Sequence, residues 1–104
     1  MAIGKSRSIS PRDQVVVILD DQMVNLEATK LLLVGFGFQG EIKLFNSSSA
    51  AIDFIMAFTI EHKSLRTIDL LITEFSMPDL SGIEVIKEIE TFLEMMISKN
   101  DKTL

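Results

Sequence analysis

Residues 15–21 read VVVILDD: five apolar, mostly β-branched residues followed by two acids. Val15–Leu19 is too short for a helix. An uninterrupted run of this kind is expected to form a strand buried on both faces, as in a parallel sheet. Downstream, Val24, Ala28, Leu31 and Leu32 fall at i, i+4, i+7 and i+8. That spacing predicts a helix with one apolar face, with Asp21 as its N-cap. Residues 35–40 (GFGFQG) supply the stop. Glu41–Phe45 (EIKLF) alternates polar and apolar residues, as a half-exposed strand does.

Residues 46–49 form a turn and cap cluster, and Ala51, Phe54, Ile55 and Phe58 then line one face of a second helix. Residues 62–67 read as a polar loop. Residues 69–74 (DLLITE) predict a third strand, and 75–82 (FSMPDLSG) a loop punctuated by Pro78 and Gly82. Ser81 and Glu84 have the spacing of a capping box. Ile83, Ile86, Ile89, Leu93 and Met96 predict the inward face of a third helix, and residues 98–104 a polar tail. Upstream, residues 1–13 (MAIGKSRSISPRD) lack periodicity and are expected to be a flexible tail, with the domain proper occupying 14–104.

Strands and helices therefore alternate, which predicts an α/β fold with parallel strands joined by right-handed crossovers. Ligands of such sheets sit beyond the C-terminal strand ends. Asp20 and Asp21 end the first strand and Glu74 ends the third. If those strands are neighbours, three carboxylates share one edge. Like charges so placed repel, and a hard divalent cation such as Mg²⁺ would relieve them and favour phosphoryl chemistry. The spacing alone also fits acids that merely cap helices and end strands.

Two stretches resemble response-regulator receiver domains of two-component signalling, over roughly residues 14–90. VVVILDDQMVNLEATKLLL is similar to their first strand, acidic pair and first helix. DLLITEFSMPDLSGIEVIKEI is similar to their third strand, acceptor loop and third helix, with Met77, Pro78 and Gly82 in the family's loop positions. The resemblance implies a flavodoxin-like parallel sheet and a Mg²⁺ site: Asp21 on the metal, Asp20 more through water, and the Ser76 backbone carbonyl completing the shell. It places Glu74 at the phospho-acceptor position, where the family carries Asp.

Two departures shape the functional expectation. Glu74 carries one methylene more than Asp, and misplacement by about 1 Å can cost phosphoryl transfer on the order of 100-fold. Glu74 is thus expected not to be phosphorylated; its longer acid either imitates the phosphorylated state or is inert. The family's fourth strand with Ser or Thr, and its fifth with Lys, have no counterpart after Glu90, so the fold is expected to be truncated after the third helix. In the family's strand order 2-1-3-4-5, that leaves the third strand as an open edge, inviting a homodimer or an exchange of elements.

The resulting expectation is a degenerate receiver in phosphorelay signalling that is not an enzyme and binds a histidine kinase or a downstream effector protein. A stand-alone assembly module using the sheet edge is the alternative. A Mg²⁺-dependent phosphotransfer enzyme is weaker, lacking an identifiable nucleophile or general acid.

Composition narrows the field. An apolar share of 47% in 104 residues suits one small globular domain. A net charge of −5 argues against direct nucleic-acid binding. The chain has no cysteine for disulfides or thiolate metal sites. Without an apolar run long enough to span a bilayer, the expected location is the cytoplasm. Gly35, Gly37 and Gly40 match G-x-G-x-x-G literally but follow a helix rather than a strand, so they read as helix-stop glycines. His62, the single histidine, reads as a surface residue.

Overall fold

The computed structural model describes residues 2–4, 10–62 and 68–101. Its elements run β1 (Ala2–Gly4), a short 3-10 turn (Pro11–Asp13), β2 (Val15–Leu19), α1 (Met23–Gly35), β3 (Glu41–Phe45), α2 (Ser48–His62), β4 (Leu70–Thr73) and α3 (Gly82–Asp101). The three strands expected from sequence are β2, β3 and β4, and they are parallel. Among the described residues no helix is long and apolar enough to cross a membrane.

Strand order is β1-β4-β2-β3. The chain steps from β2 outward to β3, then back across β2 to β4. Right-handed crossovers in opposite directions put their helices on opposite faces of the sheet. The packing agrees. Val16 and Ile18 face Leu26 and Leu33 of α1, while Val17 and Leu19 face Ala51, Ile52 and Ile55 of α2 with Val85 and Ile89 of α3. All five residues of β2 are buried, which is why that run can be apolar throughout.

Several expectations are corrected. Residues 1–13 are not simply a tail: Ala2–Gly4 pairs antiparallel with β4, so the expected open edge of the third strand is covered. The predicted apolar face of α1 points outward. Val24, Leu31 and Leu32 are 78%, 68% and 60% exposed, whereas Leu26 is 1% exposed. The inward stripe is Leu26, Thr29 and Leu33, also at helical spacing. In α3, among the residues whose burial is described, Gly82, Val85 and Ile89 are buried, with Ile83 and Leu93 at the margin. That helix runs on through Asp101, beyond the expected start of a polar tail. His62 closes α2 and packs its ring against Phe58, with centroids 4.2 Å apart; the rest of the expected 62–67 loop lies outside the described residues.

The stop after α1 is as read. Gly37 takes a φ of +98°, and the N–H groups of Phe36, Gly37 and Phe38 return to the carbonyls of Leu32, Val34 and Leu33.

Candidate functional site

Because strand order reverses at β2, a crevice is expected between the C-terminal ends of β2 and β4. Leu19 stands opposite Thr73, and the Glu74 N–H donates to the Leu19 carbonyl at 2.9 Å. One residue on, Asp20 and Glu74 lie side by side at the sheet edge, with Asp21 next along. The backbone thus brings together the acids named from sequence.

Their side chains are not assembled into a cation shell. Asp20 Oδ1 accepts from the Gln22 N–H at 2.9 Å and from Asn25 Nδ2 at 3.4 Å. It therefore ties down the start of α1, the role expected of Asp21; Gln22 occupies the N-cap position and its own side chain makes no capping bond. Glu74 and Ser76 are exposed, and Asp20 and Asp21 half-buried. Among the described residues, no group of three or more His, Cys, Asp and Glu side chains is placed to hold a metal ion. The Mg²⁺ shell that the resemblance implies at Asp20, Asp21, Glu74 and the Ser76 carbonyl is thus not preassembled from the described carboxylates.

The loop from Glu74 to Ser81 is fastened at several points. Met77 and Leu80 pack against the α2–α3 core, while Pro78 is exposed. The Gly82 N–H donates to the Phe75 carbonyl at 2.9 Å and closes the loop. Gly82 is itself buried. A Cβ there would lie 2.7 Å from the Glu74 carbonyl oxygen, so glycine permits the approach of α3 to the end of β4. Ser81 and Glu84 form the expected capping box: the Glu84 N–H donates to Ser81 Oγ at 3.2 Å and the Ser81 N–H to Glu84 Oε1 at 3.1 Å.

Asp79 is the residue that sequence reasoning passed over. Its carboxylate accepts from the N–H groups of Ser48 (3.3 Å) and Ser49 (3.1 Å) and from the hydroxyls of Ser47 (3.4 Å) and Ser49 (3.3 Å). Ser47 Oγ takes the Ala50 N–H at 3.3 Å, and the buried Ser48 donates its hydroxyl to the Leu80 carbonyl at 2.8 Å. The loop thereby supplies an anion to the amino end of α2, where orphan N–H groups and the helix dipole favour negative charge. The Ser49 N–H holds the Asp79 carboxyl well below the usual carboxylate range, outweighing an opposing desolvation, with Ser48 and Leu80 adding to the effect. The available signal was the serine cluster at 47–49, which needed an acceptor that no local pattern identifies.

No protein-family model matches the chain, and no curated protein matches it. Solved structures do share its fold. A response regulator receiver domain protein from Clostridium thermocellum superposes with a TM-score of 0.58 at 28% identity, over 75% of this chain and 56% of that one. An Asp-to-Glu mutant of the receiver domain of the histidine kinase CKI1 from Arabidopsis thaliana gives 0.68 at 19% identity, over 83% of this chain and 63% of that one. The chain thus spans less than two thirds of either receiver. In its three parallel strands and three alternating helices, the chain has the fold of response-regulator receiver domains.

Proposed function

We propose that this chain is a degenerate receiver module of phosphorelay signalling. It does not take a phosphoryl group at Glu74, and it acts in the cytoplasm by binding a partner protein, a histidine kinase or a downstream effector, without turnover. The observation that supports this reading is the position of Glu74 and Asp20, each one residue beyond the Leu19–Thr73 pair at the switch point of a receiver fold, with Asp20 already committed to α1. Acyl-phosphate formation needs close in-line placement beside a bound cation. A Glu one methylene too long, beside acids that do not form a shell, supplies neither.

The test is titration of the full chain with beryllofluoride and Mg²⁺, followed by amide shifts of Asp20, Asp21 and Glu74. The expected result is no saturable change in the wild type. Glu74→Asp restores the shorter side chain but leaves Asp20 engaged, so it too is expected to show no coordinated response in α1 and the 74–81 loop. Tight, saturable binding to the wild type would overturn the reading.

A further inference from the structure

More than half of the large apolar side chains left exposed among the described residues belong to α1 and its C-cap. Val24, Leu31, Leu32, Val34 and Phe36 are each over half exposed. With Ala28 and Gly35 between them they present on the order of 500 Å² of apolar surface. A patch of that size is commonly an interface rather than a scatter of single residues. Two such faces together bury about 1,000 Å², the lower end of specific and reversible protein–protein contacts.

α1 is the helix with room for a companion. α2 and α3 share one face of the sheet, and α1 lies on the other, against β2 and β3. Leu26 and Leu33, seven residues apart, carry its sheet side. On the opposite side Val24, Ala28, Leu31 and Gly35 recur at intervals of four, three and four. That is the repeat by which one helix packs along another, with about 8–10 Å between axes. Ala28, Leu31, Leu32, Gly35 and Phe36 line an open apolar groove there, and a Cβ at Gly35 would meet nothing within 4 Å.

The order of side-chain sizes selects the companion. Along the seam it runs large, small, large, small. Turned end for end about a two-fold axis, the same helix sets Val24 over Gly35 and Leu31 over Ala28 of the second copy, and each contact occurs twice. A parallel pair would set Ala28 on Ala28 and Gly35 on Gly35, leaving gaps that close packing does not tolerate. Charge permits the antiparallel pair. The chain carries −5 overall, yet α1 holds one acid, Glu27, and one base, Lys30. Two copies of α1 therefore meet without net repulsion, and their opposed macrodipoles attract. Glu27 then flanks Val34 of the second copy rather than another acid. We propose that the outer face of α1 is a self-complementary docking surface for a second copy of this chain, which joins it antiparallel as a reversible two-fold dimer.

The test is sedimentation of the full chain from micromolar to millimolar concentration. A monomer is expected at the dilute end and a dimer at the concentrated end, as a small interface dictates. Ala28→Leu sets leucine against leucine, and Leu31→Ala sets alanine against alanine. Each should weaken dimerisation about tenfold or more, because the two-fold axis repeats the defect. The double variant, Ala28→Leu with Leu31→Ala, exchanges the two sizes and restores a large–small contact. It should return to within about threefold of wild type, a coupling that only residues facing each other can show. Both positions are exposed, so in dilute solution neither change should disturb the fold of the monomer. In the wild type, amide shifts that change with concentration should map to Val24, Ala28, Leu31 and Gly35 and spare Leu71 of β4. A chain that stays monomeric up to millimolar leaves this face to another protein and overturns the proposal. Dimerisation unaltered by either single variant, concentration-dependent shifts centred on β1 or β4, or a double variant as weak as the singles would each overturn it too.

Discussion

The carboxylate of Asp79 accepts both the backbone N–H of Ser49, at 3.1 Å, and its hydroxyl, at 3.3 Å, across thirty residues of chain. This joins the loop after β4 to the first turn of α2. The loop carries Glu74 at one end and the α3 capping box at the other, so the pair fixes where the candidate site sits relative to the helix layer. Replacing Asp79 by Ala leaves the Ser48 and Ser49 N–H groups without their acceptor. The expected loss is about 1 kcal/mol, the usual cost of removing a helix N-cap side chain. Urea melts of wild type and variant measure it. Asp79→Asn, which keeps one acceptor oxygen, should fall between the two.

The same contact predicts a pH dependence. Folding lowers the Asp79 proton affinity, chiefly through the Ser49 N–H. The unfolded chain takes up that proton near the ordinary aspartate value, about pH 4; the folded chain resists until more acid conditions. The stabilisation is therefore complete above that range and is lost as pH falls through the lowered folded value. The difference in urea midpoint between wild type and Asp79→Ala should be constant near neutrality and shrink progressively below about pH 4. A difference that persists unchanged in acid would remove the carboxylate from this role.

What the sequence disclosed was local in origin. The run at Val15–Leu19, the alternation at Glu41–Phe45 and the Ser81–Glu84 box each carry their signal within a few residues, and each is found where expected. The phase of α1 was misread because two stripes compete. Val24, Ala28, Leu31 and Leu32 satisfy the helical period, and so do Leu26, Thr29 and Leu33. With leucines at three successive positions, periodicity alone cannot say which stripe meets the sheet. β1 is too short to show any period, and its pairing with β4 is a matter of tertiary placement. The Asp20–Glu74 adjacency followed from strand order, but the turn of Asp20 toward Gln22 did not, since it depends on how α1 begins.

The two stripes give a direct measurement. Leu26 is 1% exposed and packed against Val16 and Ile18, so Leu26→Ala is expected to cost about 2–5 kcal/mol. Leu31, at 68% exposure, loses almost nothing to desolvation when truncated; Leu31→Ala should lie within about 0.5 kcal/mol of wild type. Chemical denaturation of the two variants checks the orientation of α1. Equal costs would mean that the helix is rotated from the position described.

Two glycines of the same chain should answer the same substitution with opposite sign. Gly35 ends α1, and a Cβ there meets nothing within 4 Å. Its φ is not in the left-handed region, so Gly35→Ala gains helix propensity without strain and is expected to be neutral or to stabilise by up to about 1 kcal/mol. Gly82 begins α3, where the same propensity gain is on offer, but its Cβ would come 2.7 Å from the Glu74 carbonyl oxygen and 3.3 Å from Phe75 Cα. Both neighbours are backbone and cannot swing aside, so the loop itself must shift. Overpacking of this kind costs about 1–3 kcal/mol, which outweighs the propensity gain. Thermal melts of the two variants should therefore move in different directions, and Gly82→Ala alone should displace the Glu74 amide resonance. A Gly82→Ala chain as stable as wild type, with Glu74 unmoved, would show that the close approach of α3 to the end of β4 does not set the position of the loop after β4.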